Sequence, residues 1–248
     1  MEIEETIIPV ENPMPEEKHS RKRWKRVVQW LKWIVIAFFT ISLLPVILFR
    51  FLPPPVTPLM VKRAFERASE HKKPLIQKDW VRLKKISPHL IQAVVASEDN
   101  RFMEHWGIDV EAIEKAVEHN KRHRRKHGAS TITQQTAKNV FLWPARTYTR
   151  KAFEFYFTTM IELTWSKKRI MEVYLNVIEM GDGIYGAEAA ARKYFHKPAS
   201  KLTRGEAALI AAALPNPRKR NPAAPSDYLW KRQARILDLM NKIPPVAF

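Results

Sequence analysis

A chain of 248 residues with 43 Lys and Arg against 25 Asp and Glu, a formal net charge of +18, has room for one sizeable domain and an anchor. An excess of that size calls for an anionic partner, whether nucleic acid, a membrane surface or a phosphorylated substrate. Cysteine is absent, which excludes disulfides, a thiolate metal site and a cysteine nucleophile.

Residues 1 to 20 hold prolines and glutamates without a helical period and read as a disordered tail. Arg21-Lys22-Arg23-Trp24-Lys25-Arg26 follows as a basic cluster. From Trp33 to Phe49 no residue is charged. As a helix that run spans roughly 25 Å, and Lys32 and Arg50 can snorkel to fill a hydrocarbon core of about 30 Å. A cleaved signal peptide would need small residues at its exit, but the exit here is Arg50-Phe51-Leu52-Pro53-Pro54-Pro55. The reading is an uncleaved transmembrane anchor over residues 27–52, behind a cytoplasmic tail of residues 1–26. The basic cluster keeps the N-terminus inside and puts residues 53–248 outside the cytoplasm. Residues 51–248 alone carry 35 basic and 19 acidic side chains. Outside the cytoplasm that charge points away from nucleic acid and towards anionic lipid or a lipid-linked phosphate.

Residues 59–86 are mixed and basic and give no clear element. Ser69 and Lys72 have the spacing of an acyl-serine enzyme, but no Ser-Asp-Asn or Lys-Thr-Gly follows, so the pair reads as chance. Ser87-Pro88 is an N-cap with proline at the first helical position. Leu90, Ile91, Val94 and Val95 then form an apolar stripe that, continued, lands on Glu98. A carboxylate at that place either turns to solvent or to Arg101, or is buried with its pKa raised towards the range useful for proton transfer.

Val110 to His119 reads as a short amphipathic helix, and Lys121 to His127 as a basic run at a loop or cleft edge. Gly128-Ala129-Ser130-Thr131 leads into a helix from Gln134. There Gln134 with Lys138, and Gln135 with Asn139, are spaced i to i+4 along one flank. That flank either suits a ligand with phosphates and hydroxyls or is plain helix surface. A helix from about Thr149 repeats Arg150, Glu154, Thr158 and Glu162 on one polar face, which also reads as a surface ion-pair ladder. Phe141, Leu142, Trp143 and Trp165 belong to core or to a membrane interface. Ser166 can cap a helix running to Ile178, stopped by Gly181-Asp182-Gly183. Ala187 to Phe195 is a short helix. Thr203 to Glu206 is a capping box opening a helix through Ala213, which explains Glu206 structurally. A last helix lies near Asp227 to Lys242. No alternating strand pattern of useful length appears, so the class is all-α.

These segments together resemble the peptidoglycan glycosyltransferase family. The residues carrying the resemblance are Glu98-Asp99, Phe102, His105 and Gly107, then Gly128 to Gln135 with Lys138-Asn139, then Arg150-Lys151 and Glu154. Glu162, Ser166-Lys167 and Tyr174-Leu175-Asn176 follow, and last Glu206-Ala207-Ala208-Leu209. The match runs over roughly residues 75 to 222. It implies a lysozyme-like, two-lobed helical fold with head and jaw, behind the single anchor in the inner membrane. The implied reaction polymerises lipid II into linear β-1,4 glycan with inversion, releasing polyprenyl pyrophosphate. Glu98 matches the catalytic base and Glu162 a second catalytic carboxylate. Lys138 and Arg150 match cations at the pyrophosphates, with Ser130, Gln134, Gln135, Asn139 and Lys151 beside them as substrate-binding residues. Asp99, Phe102, His105, Gly107, Glu154, Asn176 and Glu206 match motif positions of structural weight. No cofactor is required and no metal ligand is assigned, while a divalent cation, magnesium or manganese, stays open. Lipid II, the lipid-linked glycan chain and the membrane are the implied partners, with other cell-wall synthesis proteins open and nucleic acid excluded. One departure stands at Glu179, where the family often has an aromatic residue. No crosslinking domain is expected. A lytic enzyme acting on finished glycan and an inactive membrane scaffold are the rival readings.

Overall fold

A computed structural model describes residues 15–123, 128–145 and 147–248, and the side chains from Arg23 onwards within that span. Residues 1–14 of the expected tail and 124–127 of the basic run lie outside the described residues. The chain divides by its contacts at Pro45 into a short first unit and a second unit, Val46–Phe248. Helix α1, Pro15–Phe51, supplies the first unit and ends in the second. It begins at Pro15, five residues before the expected end of the disordered tail at Ser20. Once an apolar helix is nucleated, each added residue gains a backbone bond, and nothing in Pro15 to Ser20 breaks it. Its stretch Arg23–Phe51 is, by length and composition, long and apolar enough to cross a membrane.

In the second unit the remaining helices are α2 (Pro58–Ser69), α3 (Pro88–Glu98), α4 (Val110–Arg122), α5 (Ile132–Phe141) and α6 (Tyr148–Thr164). They continue with α7 (Lys167–Val177), α8 (Ala187–Phe195), α9 (Arg204–Ala213) and α10 (Asp227–Lys242). The all-helical expectation holds. Three strands of two or three residues, β1 (Gln77–Lys78), β2 (Glu179–Gly181) and β3 (Ile184–Tyr185), form a small sheet in the order β1-β3-β2. They are too short to show a period of two, which is why no alternation marks them.

Helix α2 occupies the stretch that gave no clear element. Thr57 is its N-cap, accepting from Met60 N–H, and Pro58 opens it. This is the same signal that Ser87 and Pro88 give for α3. Polar residues on most of its surface hide the period.

Helix α9 packs between α3 and α10. It is buried along Ala207 to Ala213, and its methyl side chains let its neighbours approach closely. Helix α5 packs against α6 and α7. Capping boxes start α5 (Thr131 with Gln134) and α9 (Thr203 with Glu206), and Ser166 caps α7. The aromatic residues divide. Leu142 and Trp165 are core, Phe141 stacks on Phe157 at 4.8 Å, and Trp143 faces out. Trp165 Nε1 donates to the Val46 carbonyl at 2.8 Å, and Arg169 donates to the carbonyls of Phe49 and Leu52. Arg169 thereby satisfies carbonyls that the end of α1 leaves without helical partners, while Trp165 adds a second donor to a carbonyl of its last two turns. Residues 46–52, expected wholly within the anchor, therefore share hydrogen bonds with the second unit.

Candidate active site

Glu98 is the last residue of α3, after the buried Leu90, Val94 and Val95. The helix stops because Asp99 turns to extended backbone and spends its carboxylate elsewhere. Its Oδ2 accepts from Ile132 N–H at the start of α5, and its Oδ1 pairs with His105 Nε2 at 2.8 Å. Arg101, the alternative partner for Glu98, instead pairs with Glu104, Asp109 and Glu111. Glu98 Oε2 accepts from Gln135 Nε2 at 3.1 Å. The other end of that amide, Oε1, accepts from Tyr174 Oη at 3.3 Å. Burial, then the carboxylates of Glu98 and Asp99, push the Tyr174 hydroxyl well above its ordinary value, so it remains a donor and fixes which end of Gln135 meets Glu98. Burial likewise pushes the Glu98 carboxyl up, against the pull of Gln135, Arg232 and Lys138. This is the carboxylate that the apolar stripe of α3 led to, half-buried and with its proton affinity raised.

Two clefts meet at Glu98, with Gln135 and Pro215 also on both. One, of about 700 Å³, is lined by Lys138, Asn139 and Arg150 and by Lys62 and Arg63 of α2. The other, of about 500 Å³, is lined by Ser97, Gly128, Ser130, Arg232 and Arg235. Burial lowers the Lys138 ammonium, helped by Arg150 and Lys151 and opposed by Glu154 and Glu98. Arg150 and Lys151 both pair with Glu154, which is 3% exposed. The face of α6 expected as a surface ladder is thus turned inward, because Glu154, Thr158 and Glu162 are all buried. Lys151 points its half-exposed side chain at Glu154 and does not line either cleft.

Two residues are placed differently from the expectation of an open polar face. Gln134 does not stand on an open flank: it is buried, and its Oε1 accepts from Thr131 N–H in the capping box of α5. Directly after the Gly128-Ala129-Ser130 run, Thr131-x-x-Gln134 was legible as a cap. Glu162 lines neither cleft. Its Oε1 accepts from Thr133 Oγ1 at 2.6 Å and from Lys167 Nζ at 2.8 Å, in the buried joint between α5, α6 and α7. Of the two α6 carboxylates, Glu154 is the one tied to cleft cations.

The remaining motif positions build the joint. Phe102 is fully buried, with Lys167 Nζ 4.7 Å from its ring centre. Lys167 also donates to the His105 carbonyl. Gly107 has φ +78°, and a Cβ there would sit 2.7 Å from Thr158 Cγ2 and 2.8 Å from Glu162 Cγ, so only glycine fits. Its carbonyl accepts from Thr131 Oγ1. Asn176 pairs with both backbone groups of Val81, and Glu206 adds an ion pair with Lys197 to its cap. Arg232 and Arg235, three apart on α10, and the two α2 residues Lys62 and Arg63 are cleft cations that sequence reasoning did not single out. Their only signal was helical spacing in a chain crowded with cations. Among the described residues, one group of side chains could share a metal ion, Asp99, His105 and Asp109. Asp99 is spent on Ile132 and His105, and Asp109 caps α4 through Ala112 N–H, so the group fits a fold clasp better than a divalent site.

A carboxylate whose proton affinity is raised by burial, with fixed cations in the cleft beside it, defines an acid–base enzyme for a substrate carrying negative charge. Comparison with known proteins makes the class specific. The transglycosylase family profile matches residues 67–241. A biosynthetic peptidoglycan transglycosylase of Bacteroides thetaiotaomicron is 56% identical over 225 residues, covering 90% of this chain and 91% of the relative. Proteins of the same description from Bdellovibrio bacteriovorus and Escherichia coli are 54% and 52% identical. They cover 91% and 79% of this chain, and 89% and 82% of their own lengths. The chain belongs to the transglycosylase family.

Proposed function

We propose that this protein polymerises lipid II into linear glycan strands at the outer face of the inner membrane. The observation that carries the reading is Glu98, a base with raised proton affinity, beside Lys138 and Arg150 in one cleft. Glu98 takes the proton from the acceptor sugar's 4-hydroxyl as that oxygen bonds to the donor's anomeric carbon. The bond from that carbon to the pyrophosphate oxygen breaks on the opposite face, which inverts the centre. Negative charge grows on the departing polyprenyl pyrophosphate. Lys138 and Arg150 stabilise that growing charge more than the ground state, which raises turnover. Glu154 holds Arg150 and Lys151 and so orients the cation wall. Ser130, Gln135 and Asn139 supply hydrogen bonds for the sugars and phosphates.

Residues 53–248 form the extracytoplasmic catalytic domain in this reading, anchored by residues 27–52 with the N-terminus inside. Purified protein incubated with labelled lipid II tests it. Long glycan supports polymerisation, while fragments released from finished sacculi and no polymer would show a lytic enzyme. A reporter active only outside the cytoplasm, fused after Phe248, tests the orientation, and a silent but well-expressed fusion refutes it.

A further inference from the structure

Lys62 and Arg63 line the larger cleft, yet both precede residue 67, where the transglycosylase profile begins. Arg63 is the more constrained, with a side chain 25% exposed. Its Nη1 donates to Glu66 Oε2 at 2.6 Å. Its Nε faces Glu179 Oε2 at 3.3 Å, but without the alignment of a hydrogen bond. Glu179 also lines the cleft, and its Oε1 is buried with no hydrogen-bond partner.

The unspent donors on this cleft share one character. Among the described residues, Arg63 Nε, Asn139 Nδ2 and Arg150 Nε are buried, lack a hydrogen-bond partner, and belong to side chains lining the same cleft. A buried donor of this kind is costly unless something accepts from it. A ligand made of acceptors, with several charged oxygens, satisfies donors of this kind, and a pyrophosphate has that chemistry. A carboxylate in such a cleft competes with the anion for the cations. Burial pushes the Glu179 carboxyl up, with Arg63 and Arg218 pulling the other way, and its 3.3 Å contact with Arg63 Nε lacks hydrogen-bond alignment, which leaves that donor open to another acceptor.

We propose that Arg63 is a third phosphate-binding cation of this cleft, contributed by α2. Glu179 is the carboxylate that holds Arg63 before the anion arrives and yields it when the anion binds. The proposal rests on the reading of the cleft as a polyprenyl pyrophosphate site. It predicts effects of opposite sign at the two residues, which a purely structural ion pair does not.

The test is direct binding of farnesyl pyrophosphate, a short mimic of the leaving group, to the full chain in detergent micelles, with farnesol as the uncharged control. Arg63→Ala is expected to weaken the pyrophosphate about tenfold, the loss of one charge-assisted hydrogen bond, and Arg63→Lys to recover part. Glu179→Gln is expected to tighten it several-fold. Wild-type affinity in Arg63→Ala, while Lys138→Ala and Arg150→Ala lose affinity, overturns this inference alone. Should the wild type bind farnesyl pyrophosphate no better than farnesol, the reading of the cleft falls and the inference with it. If Arg63→Ala does not fold, Glu179→Gln decides: weaker binding there means that Glu179 only props Arg63, and the proposal fails.

Discussion

In the proposed mechanism, replacing Glu98 by Gln removes the base and little else. The amide oxygen can still accept from Gln135 Nε2, so the 3.1 Å hydrogen bond and the end of α3 survive. The cleft offers no ready substitute. Among the residues lining its two halves, the other carboxylate is Glu179, which faces Arg63. A positioned base contributes roughly 10²–10⁴ in rate, and without a stand-in Glu98→Gln should fall about 1,000-fold, near 4 kcal/mol of barrier. Stability should move the other way. Because burial raises the folded-state pKa of Glu98, the folded chain holds that proton more tightly than the unfolded chain does. The associated stability is present below the ordinary carboxyl range and is lost as pH rises through the raised value. Near neutrality the wild type therefore carries a destabilising charge that the amide lacks, so Glu98→Gln should melt at or above the wild-type temperature, with the difference closing in acid. The assay is the initial rate of glycan formation from labelled lipid II, beside thermal unfolding across pH. A rate within fivefold of wild type, or a variant that melts lower at neutral pH, would refute the assignment of Glu98 as a buried base.

Lys138→Ala and Arg150→Ala should each lower turnover at saturation more than they weaken binding of a non-reactive lipid II analogue. Arg150→Lys should recover only part, because a forked contact becomes a point charge. Unchanged turnover with weaker binding would reduce both to recruiting groups. Gly107→Ala combines a left-handed backbone with two contacts below 3 Å and should cost about 3 kcal/mol, lowering the melting temperature by roughly 6–12 °C. A melting temperature unchanged from wild type would show that the joint can relax. Glu162→Gln breaks a buried ion pair and should lose about 3 kcal/mol of stability, with rate loss following from disorder of the joint. A fully stable but inactive Glu162→Gln would restore a chemical role to that carboxylate.

The site was legible where one helix carried both its signals. The stripe Leu90 to Val95 and the cap Ser87-Pro88 located α3 and put Glu98 at its end. Local pattern failed where tertiary packing decided. The polar face of α6 has the spacing of a surface ladder, and only the packing of α5 and α7 around it turns Glu154 and Glu162 inward. Spacing also could not separate the two, since one lies behind cleft cations and the other eight residues on lies in a joint. The sheet escaped because strands of two or three residues have no period. Helix α2 escaped because its cations hide an amphipathic face, although Thr57-Pro58 announced its start.

Helix α9 carries five alanines among its seven buried residues from Ala207 to Ala213, and it lies against α3. Those methyl groups act as a shim whose thickness sets where the end of α3, and so Glu98, comes to rest. Added carbon at a closely packed position costs about 1–3 kcal/mol, which a domain of this size can survive. An error of about 1 Å in the placement of a reacting group costs roughly a hundredfold in rate. Drift along α9 is therefore policed by turnover before it is policed by folding. Much of the information that aims the base resides in side chains too small to touch anything but their neighbouring helices.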